Sequence, residues 1–214
     1  MKVRVYIDGF NLYYRALKDS HSPSGGSFKW LDPVRLAAQL LPNDEIDLVR
    51  YFTAIVRRMP DHPYAPDRQR LFLRALATLP TVQVHHGRFL AAKKIARLVT
   101  PLADGTKLVK VHKTEEKGSD VALATYLLLD GFRDAYEAAA VITNDSDLAE
   151  PIRVVRDELK KPIIVLEPCP DRPSAELKSV ATATRPIRQG ALGASQFPEE
   201  LRDAVGAFHK PPSW

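Results

Sequence analysis

The sequence predicts an α/β domain in which a mostly parallel sheet carries helices on both faces. Strand-like runs alternate with amphipathic helical stretches along most of the chain, the pattern of strand–helix–strand crossovers. VRVYI at 3–7 is a short β-branched run and AAAVIT at 138–143 an apolar one, and both read as buried strands. A chain of 214 residues, 45% hydrophobic, is long enough to bury a core without disulfides.

The elements follow in order. Residues 3–7 end at Asp8-Gly9, a sharp-turn signal, and 11–18 are helical in composition. SHSPSGG at 20–26 is a loop. Asp32-Pro33 supplies an N-cap and a proline at the first helical position, opening a helix to about Leu41. Residues 46–56 are strand-like and end at Met59-Pro60. Between 67 and 79, Leu71, Leu73, Ala75, Leu76 and Leu79 fall at mixed three-and-four spacings, a helix with a wide apolar face. Residues 81–89 alternate as a strand, and 91–100 and 107–114 flank Asp104-Gly105, a hairpin signal. A helix rich in alanine and leucine at 120–132 precedes the strand at 138–143. Ile152, Val155 and Leu159 share one face of a helix at 148–160, and 163–166 is another strand. After Gly190 the pattern dissolves into a short helix near 198–208 and a KPPSW end, with Phe208 and Trp214 fastening it to the rest. The expected organisation is a domain at 1–189 with a basic hairpin inserted at about 88–117, then a C-terminal tail at 190–214.

Charge is unevenly placed. The chain carries a net charge of +5, and residues 88–117 account for it: Arg88, Lys93, Lys94, Arg97, Lys107, Lys110, Lys113 and Lys117 stand against Asp104, Glu115 and Glu116. The remainder is balanced. A local excess of cations is what a polyanion-binding surface needs, although a solvated lysine-rich hairpin reads the same way. One cysteine, Cys169, excludes an internal disulfide, and no run of 18 apolar residues offers a membrane span. Met1-Lys2 leads straight into the first strand without a signal peptide, so the expectation is a cytoplasmic protein with no membrane partner, self-association being left open.

In such a sheet, ligands bind at the carboxyl ends of the strands near a switch in strand order. Three acidic sites are placed to meet there. Asp8 follows the first strand, with Asn11 three residues on; Asp145 and Asp147 follow the strand at 138–143; and Asp120 opens a helix behind Lys117-Gly118-Ser119. Each has a bland alternative as a turn former or cap, and Ser119, a candidate for phosphate contact, reads equally as the N-cap of the helix that Asp120 opens. Four carboxylates on one edge would repel unless a cation sits among them, and a hard divalent ion such as magnesium or manganese suits oxygen ligands. Zinc is disfavoured, because His85 and His86 are strand neighbours pointing to opposite faces. Lys113 and Lys117 flank the acidic edge and are candidates for phosphate contact, and Phe10, Tyr13 and Tyr14 for stacking on bases or for the core.

DGFN at 8–11, KGSD at 117–120 and TNDSDL at 143–148, in that order over roughly 1–168, resemble the NYN domain, a branch of the PIN-like nuclease superfamily. The resemblance implies a three-layer α/β/α Rossmann-like fold and a ribonuclease, an endonuclease by expectation, dependent on magnesium or manganese. It implies that Asp8, Asp120, Asp145 and Asp147 surround the metal and that Asn11 orients a ligand or water. RNA would be the partner, held by Lys93, Lys94, Lys107, Lys113 and Lys117. One departure stands out: relatives carry a further acidic residue six positions after the KGxD aspartate, where this chain has Tyr126. The alternatives are an RNA-binding or regulatory module of the same fold without turnover, and a haloacid-dehalogenase-like phosphatase. The phosphatase needs an aspartate where Phe10 stands. GxGxxG, the P-loop motif and GxSxG are absent.

Overall fold

Val3, Val5 and Ile7 alternate with Arg4 and Tyr6 along β1 (Lys2–Asp8), so this strand has two faces to bury. The computed structural model, which describes residues 1–20, 27–60 and 62–214, buries both. Six of the predicted loop residues, 21–26, lie outside the described residues. Val3, Val5 and Ile7 join one core with Leu12, Leu36 and Phe72; Tyr6 joins a second with Leu123, Leu127 and Ile152. Each core lies between the sheet and the helices on one side of it, giving a three-layer α/β/α fold.

The first half of the chain builds outward from β1. Asp8 caps α1 (Gly9–Leu12), which continues as a π-helical turn at Tyr13–Leu17. A Cβ at position 9 would lie 2.6 Å from the Tyr51 ring and 2.7 Å from the Phe52 carbonyl, so only glycine lets this helix start so close to the next strand. The Asp32 side chain accepts from the Val34 and Arg35 amides at the head of α2 (Pro33–Leu40), the cap that Asp32-Pro33 predicts. Then come β2 (Glu45–Thr53), α3 (Ala65–Leu76) and β3 (Val82–His86). The strand expected over 81–89 breaks at Gly87. Beyond it, β4 (Arg88–Arg97) leaves the main sheet and pairs antiparallel with β5 (Leu108–Lys117) as a separate hairpin.

The second half builds outward on the other side of β1. It comprises α4 (Ser119–Phe132), β6 (Ala138–Ile142), α5 (Ala149–Asp157) entered through a 3-10 turn at Ser146–Leu148, and β7 (Ile163–Glu167). After these come α6 (Ala175–Val180), β8 (Ala183–Pro186) and α7 (Gln189–Ala194). The sheet order is β3-β2-β1-β6-β7-β8, parallel throughout. The order reverses between β1 and β6, so a crevice opens at their carboxyl ends. No helix among the described residues is long and apolar enough to cross a membrane.

The chain after Gly190 differs from its expected form. Residues 198–208 form a hairpin of β9 (Glu200–Asp203) and β10 (Gly206–His209), not a helix. Leu201, Val205 and Phe208 happen to repeat at helical spacing. The turn wins because the Asp203 carboxylate accepts from the Val205 and Gly206 amides, with Gly206 at φ 135°. Arg74 grips Asp203 through two bonds of 2.7 and 2.8 Å, and Phe208 and Trp214 pack edge-on against Trp30.

One polar network lies inside the second core. Asp130, 3% exposed on α4, accepts from Arg50 on β2 at 2.8 and 3.1 Å and from the Tyr6 hydroxyl at 2.7 Å. Burial pushes this carboxyl up, but Arg50, Tyr6 and Arg4 outweigh it and hold it below the ordinary carboxylate range. Asp130→Asn leaves the Arg50 guanidinium buried without its counter-charge, so unfolding in urea should show a loss of about 3–5 kcal/mol. A loss under about 1 kcal/mol would mean that solvent already screens the pair.

Candidate active site

The crevice at the β1/β6 reversal is acidic because three strand or helix ends each deliver a carboxylate to it. Asp8 ends β1 and is 4% exposed; its Oδ1 accepts from the Asn11 amide at 2.9 Å and its Oδ2 from the Thr143 hydroxyl at 3.3 Å. Thr143 Oγ1 in turn accepts from the Asp145 amide at 3.1 Å, and Asp145 caps the following 3-10 turn through the Asp147 amide. Asn11 Oδ1 accepts from the Asn144 amide at 3.0 Å, tying α1 to the loop after β6. Asn144 Oδ1 then accepts from the Ser174 amide ahead of α6. The spacing of DGFN and of TNDSDL is thus the spacing of one hydrogen-bonded mesh.

Asp8, Asn11, Asp120 and Asp145 line a cleft of about 310 Å³ together with Arg15 and Glu116. Asp147 is exposed and stands outside the lining, although its charge reaches Asp120. Burial pushes the Asp8 carboxyl up to about 7, against its hydrogen bond from Asn11, and the charges of Asp120 and Asp145 push the same way. Burial also raises Asp120, reinforced by Asp145, Glu116 and Asp147. The carboxylates therefore feel one another, as their convergence on one edge predicts.

Glu116 and Arg15 are lining residues that sequence reasoning did not select, and Ser119, weighed there for phosphate contact, lines the cleft as well. In the sequence Glu116 reads only as an offset to the lysines. It sits at the end of β5, where its carboxylate accepts from the Ser119 amide at 3.1 Å and the Ser119 hydroxyl at 2.6 Å, satisfying an orphan amide at the head of α4. Ser119 is not the cap of that helix; Gly118, at φ 95°, holds the cap position. Arg15 projects from the π-helical turn, a distortion that recurs at functional sites.

Among the described residues, no group of three or more His, Cys, Asp or Glu side chains is gathered closely enough to enclose a metal ion. Asp8 accepts from the Asn11 amide and the Thr143 hydroxyl, and Asp147 is exposed. An all-oxygen donor set that raises its own protonation still suits a hard cation. Magnesium in particular is held by one or two carboxylates while keeping its waters, and needs no closed protein cage.

The hairpin has two sides of different character. Its uninterrupted register pairs Phe89 with Glu116, Ala91 with Thr114, Lys93 with His112 and Ile95 with Lys110 on one face. Glu116 on that face lines the cleft, and Phe89, His112 and Thr114 line a larger trough beside it of about 580 Å³. The opposite face carries Lys94, Lys113 and Lys117, all bonded to Glu115 at 2.5–3.4 Å. Hydrogen bonds from Lys113 and Lys117 hold the Glu115 carboxyl well below its ordinary range. Of the five lysines singled out from sequence, Lys93 is on the site-facing side and Lys107 lies outside both strands, near the tip. Neither Lys113 nor Lys117 lines the cleft they were expected to flank.

The family model described as NYN domain matches residues 2–188. The chain is 26% identical over 243 aligned positions to 6-hydroxy-3-succinoylpyridine 3-monooxygenase HspA of Pseudomonas putida (strain DSM 28022 / S16), covering all of this chain and 75% of that one. It is similar in structure to a protein of unknown function from Vibrio parahaemolyticus RIMD 2210633. The TM-score is 0.56 at 16% identity, with 88% of this chain and 93% of the other covered, a likeness of fold.

The raised Asp8 carboxyl ties stability to pH. The folded chain keeps a proton on Asp8 that the unfolded chain releases near 3.8, so stability is lost as pH climbs from there to about 7 and levels off above. Asp8→Asn keeps a cap acceptor without the charge. Its Tm in chelator should exceed wild type by several degrees at about pH 8 and match it at about pH 4. A lower Tm for the variant at about pH 8 would show that the ionised carboxylate supports the fold instead.

Proposed function

The chain belongs to the NYN domain family, a nuclease-type family, and from that membership and its acidic cleft we propose that it is a metal-dependent ribonuclease cutting within RNA strands. The observation that carries this reading is the convergence of Asp8, Asp120, Asp145 and Glu116 on one cleft at the strand-order reversal. Asp8, Asp120 and Asp145 would hold magnesium or manganese, with Asp147 and Glu116 adding negative charge around them. When bound, such an ion neutralises phosphate charge and makes water a better nucleophile.

The remaining work falls to side chains. The Asp8 carboxyl, raised to about 7 by burial and its acidic neighbours, would be held in its ionised form by a cation in the cleft. Arg15 brings a guanidinium to a cleft otherwise rich in carboxylates, where it can pair with a phosphate oxygen of the substrate. Asn11, with its carbonyl engaged by Asn144, has its NH₂ group to offer a ligand or water. Lys93, Lys110 and Arg97 on the site-facing side of the hairpin supply cations along a path leading away from the cleft.

Incubation of the purified chain with mixed structured and unstructured RNAs, with manganese or chelator, tests the reading. Cleavage should need the metal, and Asp120→Asn should lower its rate by at least about 100-fold with the fold intact. Cutting in chelator, or by the variant at the wild-type rate, would overturn it. RNA bound without any cleavage would favour the regulatory module.

The two hairpin faces give a separate test. Lys93→Ala with Lys110→Ala should flatten the slope of log K against log salt by about 1.4, at about 0.7 per lost contact on a single strand. Lys94→Ala with Lys113→Ala should leave it near wild type, because Glu115 already pairs with those lysines. The reverse order would put RNA on the other face.

A second reading, oxygenation of a small aromatic ring, is favoured by the match to a pyridine monooxygenase along the whole chain. Uptake of oxygen that depends on both 6-hydroxy-3-succinoylpyridine and an added reductant would establish it.

A further inference from the structure

The trough beside the acidic cleft is not used by the chemistry above. Its volume, about 580 Å³, falls in the range of pockets that hold drug-sized ligands, and a nucleotide is of that size. Phe10 and Tyr14 line both it and the cleft, so the two are continuous. They are one helical turn apart, their rings inclined by only 16° with centroids 6.4 Å apart, and Tyr14 is 55% exposed. Phe89 leans over Phe10 from the hairpin at 6.3 Å. Cations outnumber acids in the trough: Lys18 lies 5.4 Å from the Tyr14 centroid, and Lys29, Arg57 and Arg68 are in the lining with Asp19. Trp214, packed on Trp30 and Phe72, closes part of the wall.

We propose that this trough is a base-binding subsite: it takes an unpaired nucleobase next to the phosphate in the acidic cleft, stacked on Phe10 and Tyr14. The occupant follows from the combination. Aromatic faces suit any base, a rim of lysine and arginine suits the phosphates on either side of it, and the shared wall puts base and scissile phosphate within one strand. A duplex cannot enter this way, because its bases are stacked on one another and offer no free face. The substrate class is therefore single-stranded RNA, or a loop or overhang of a folded one. Placing the scissile phosphate in the cleft rests on the ribonuclease reading, whereas capture of the base does not depend on turnover.

The test uses the full chain in chelator, so that no cleavage occurs, and two fluorescein-labelled probes of equal length. One is a single-stranded oligoribonucleotide; the other has the same sugar–phosphate chain with its bases removed. Wild type should bind the base-bearing probe at least about tenfold more tightly, one good stacking contact's worth. Phe10→Ala with Tyr14→Ala should bind both probes at the abasic level. If the double variant does not fold, Tyr14→Ala alone, at an exposed position, should lower the preference several-fold. Equal binding of the two probes by wild type, or a preference that survives both substitutions, overturns the proposal. So does quenching of tryptophan fluorescence by free 6-hydroxy-3-succinoylpyridine but not by the oligonucleotide, which would make the trough a small-molecule site. Base preference without manganese-dependent cleavage would sink the nuclease reading and leave the subsite standing.

Discussion

A carboxylate buried at the end of the central strand is the constraint around which the rest of the molecule is arranged. Asp8 sits where the sheet order reverses, 4% exposed, with Asp120 and Asp145 adding negative charge nearby. Such a group is tolerated only if donors reach it, and three local features provide them or make room. Gly9 lets α1 begin against Tyr51, the helix turns Asn11's amide onto one carboxylate oxygen, and β6 brings Thr143 to the other. These donors offset part of the burial cost. The excess negative charge remains, and it is this residue of instability that a cation or a proton can relieve.

The fold holds the opposing carboxylate with similar care. Asp120 and Asp130 lie ten residues apart on α4, so about 15 Å of rigid helix separates the cleft from the Arg50–Asp130 pair. That pair, with Tyr6 from β1 and Arg4 beside it, anchors α4 to two strands at once. At its other end the helix is fixed by Glu116 on the Ser119 amide. Both ends are tied by carboxylates, Asp130 to Arg50 and Arg4 at one end and Glu116 to the Ser119 amide and hydroxyl at the other. Asp120 is therefore placed both by the contact on its neighbour Ser119 and by the Arg50–Asp130 pair ten residues along the helix.

Much of this was legible in the sequence, for a physical reason: parallel strands buried on both faces and capped helices leave local signatures. Asp32-Pro33, the apolar run at 138–142 and the turn at Asp8-Gly9 each act through near neighbours. The three aspartates that share the cleft were found because strand ends gather on one edge. What escaped depends on pairing at a distance. Glu116 joins the cleft only because the hairpin's register turns it inward and Glu115 outward, a one-residue difference that composition does not encode. The lysines divide between faces for the same reason. The hairpin at β9 and β10 was hidden because its apolar residues mimic a helical repeat, and β8 because four residues with little apolar content give no strand signal.

The departure at Tyr126 takes its meaning from these placements. Six residues after Asp120 on α4, Tyr126 places a ring that packs 4.3 Å from His85 and lies under the Arg50 guanidinium at 4.5 Å. Tyr126 is absent from the cleft's lining, and the second core packs against it. A carboxylate here would compete with Asp130 for Arg50 and sit beside a histidine whose proton affinity burial and Arg50 both lower. The aromatic ring avoids that competition, stacks on the cation and keeps the Arg50–Asp130 pair undivided. The cleft's fourth carboxylate is Glu116, near the end of β5 in the β4–β5 hairpin. The same arm that brings lysines to the site's approach thus also supplies one of its acids, which makes the geometry of β4 and β5 part of the site itself.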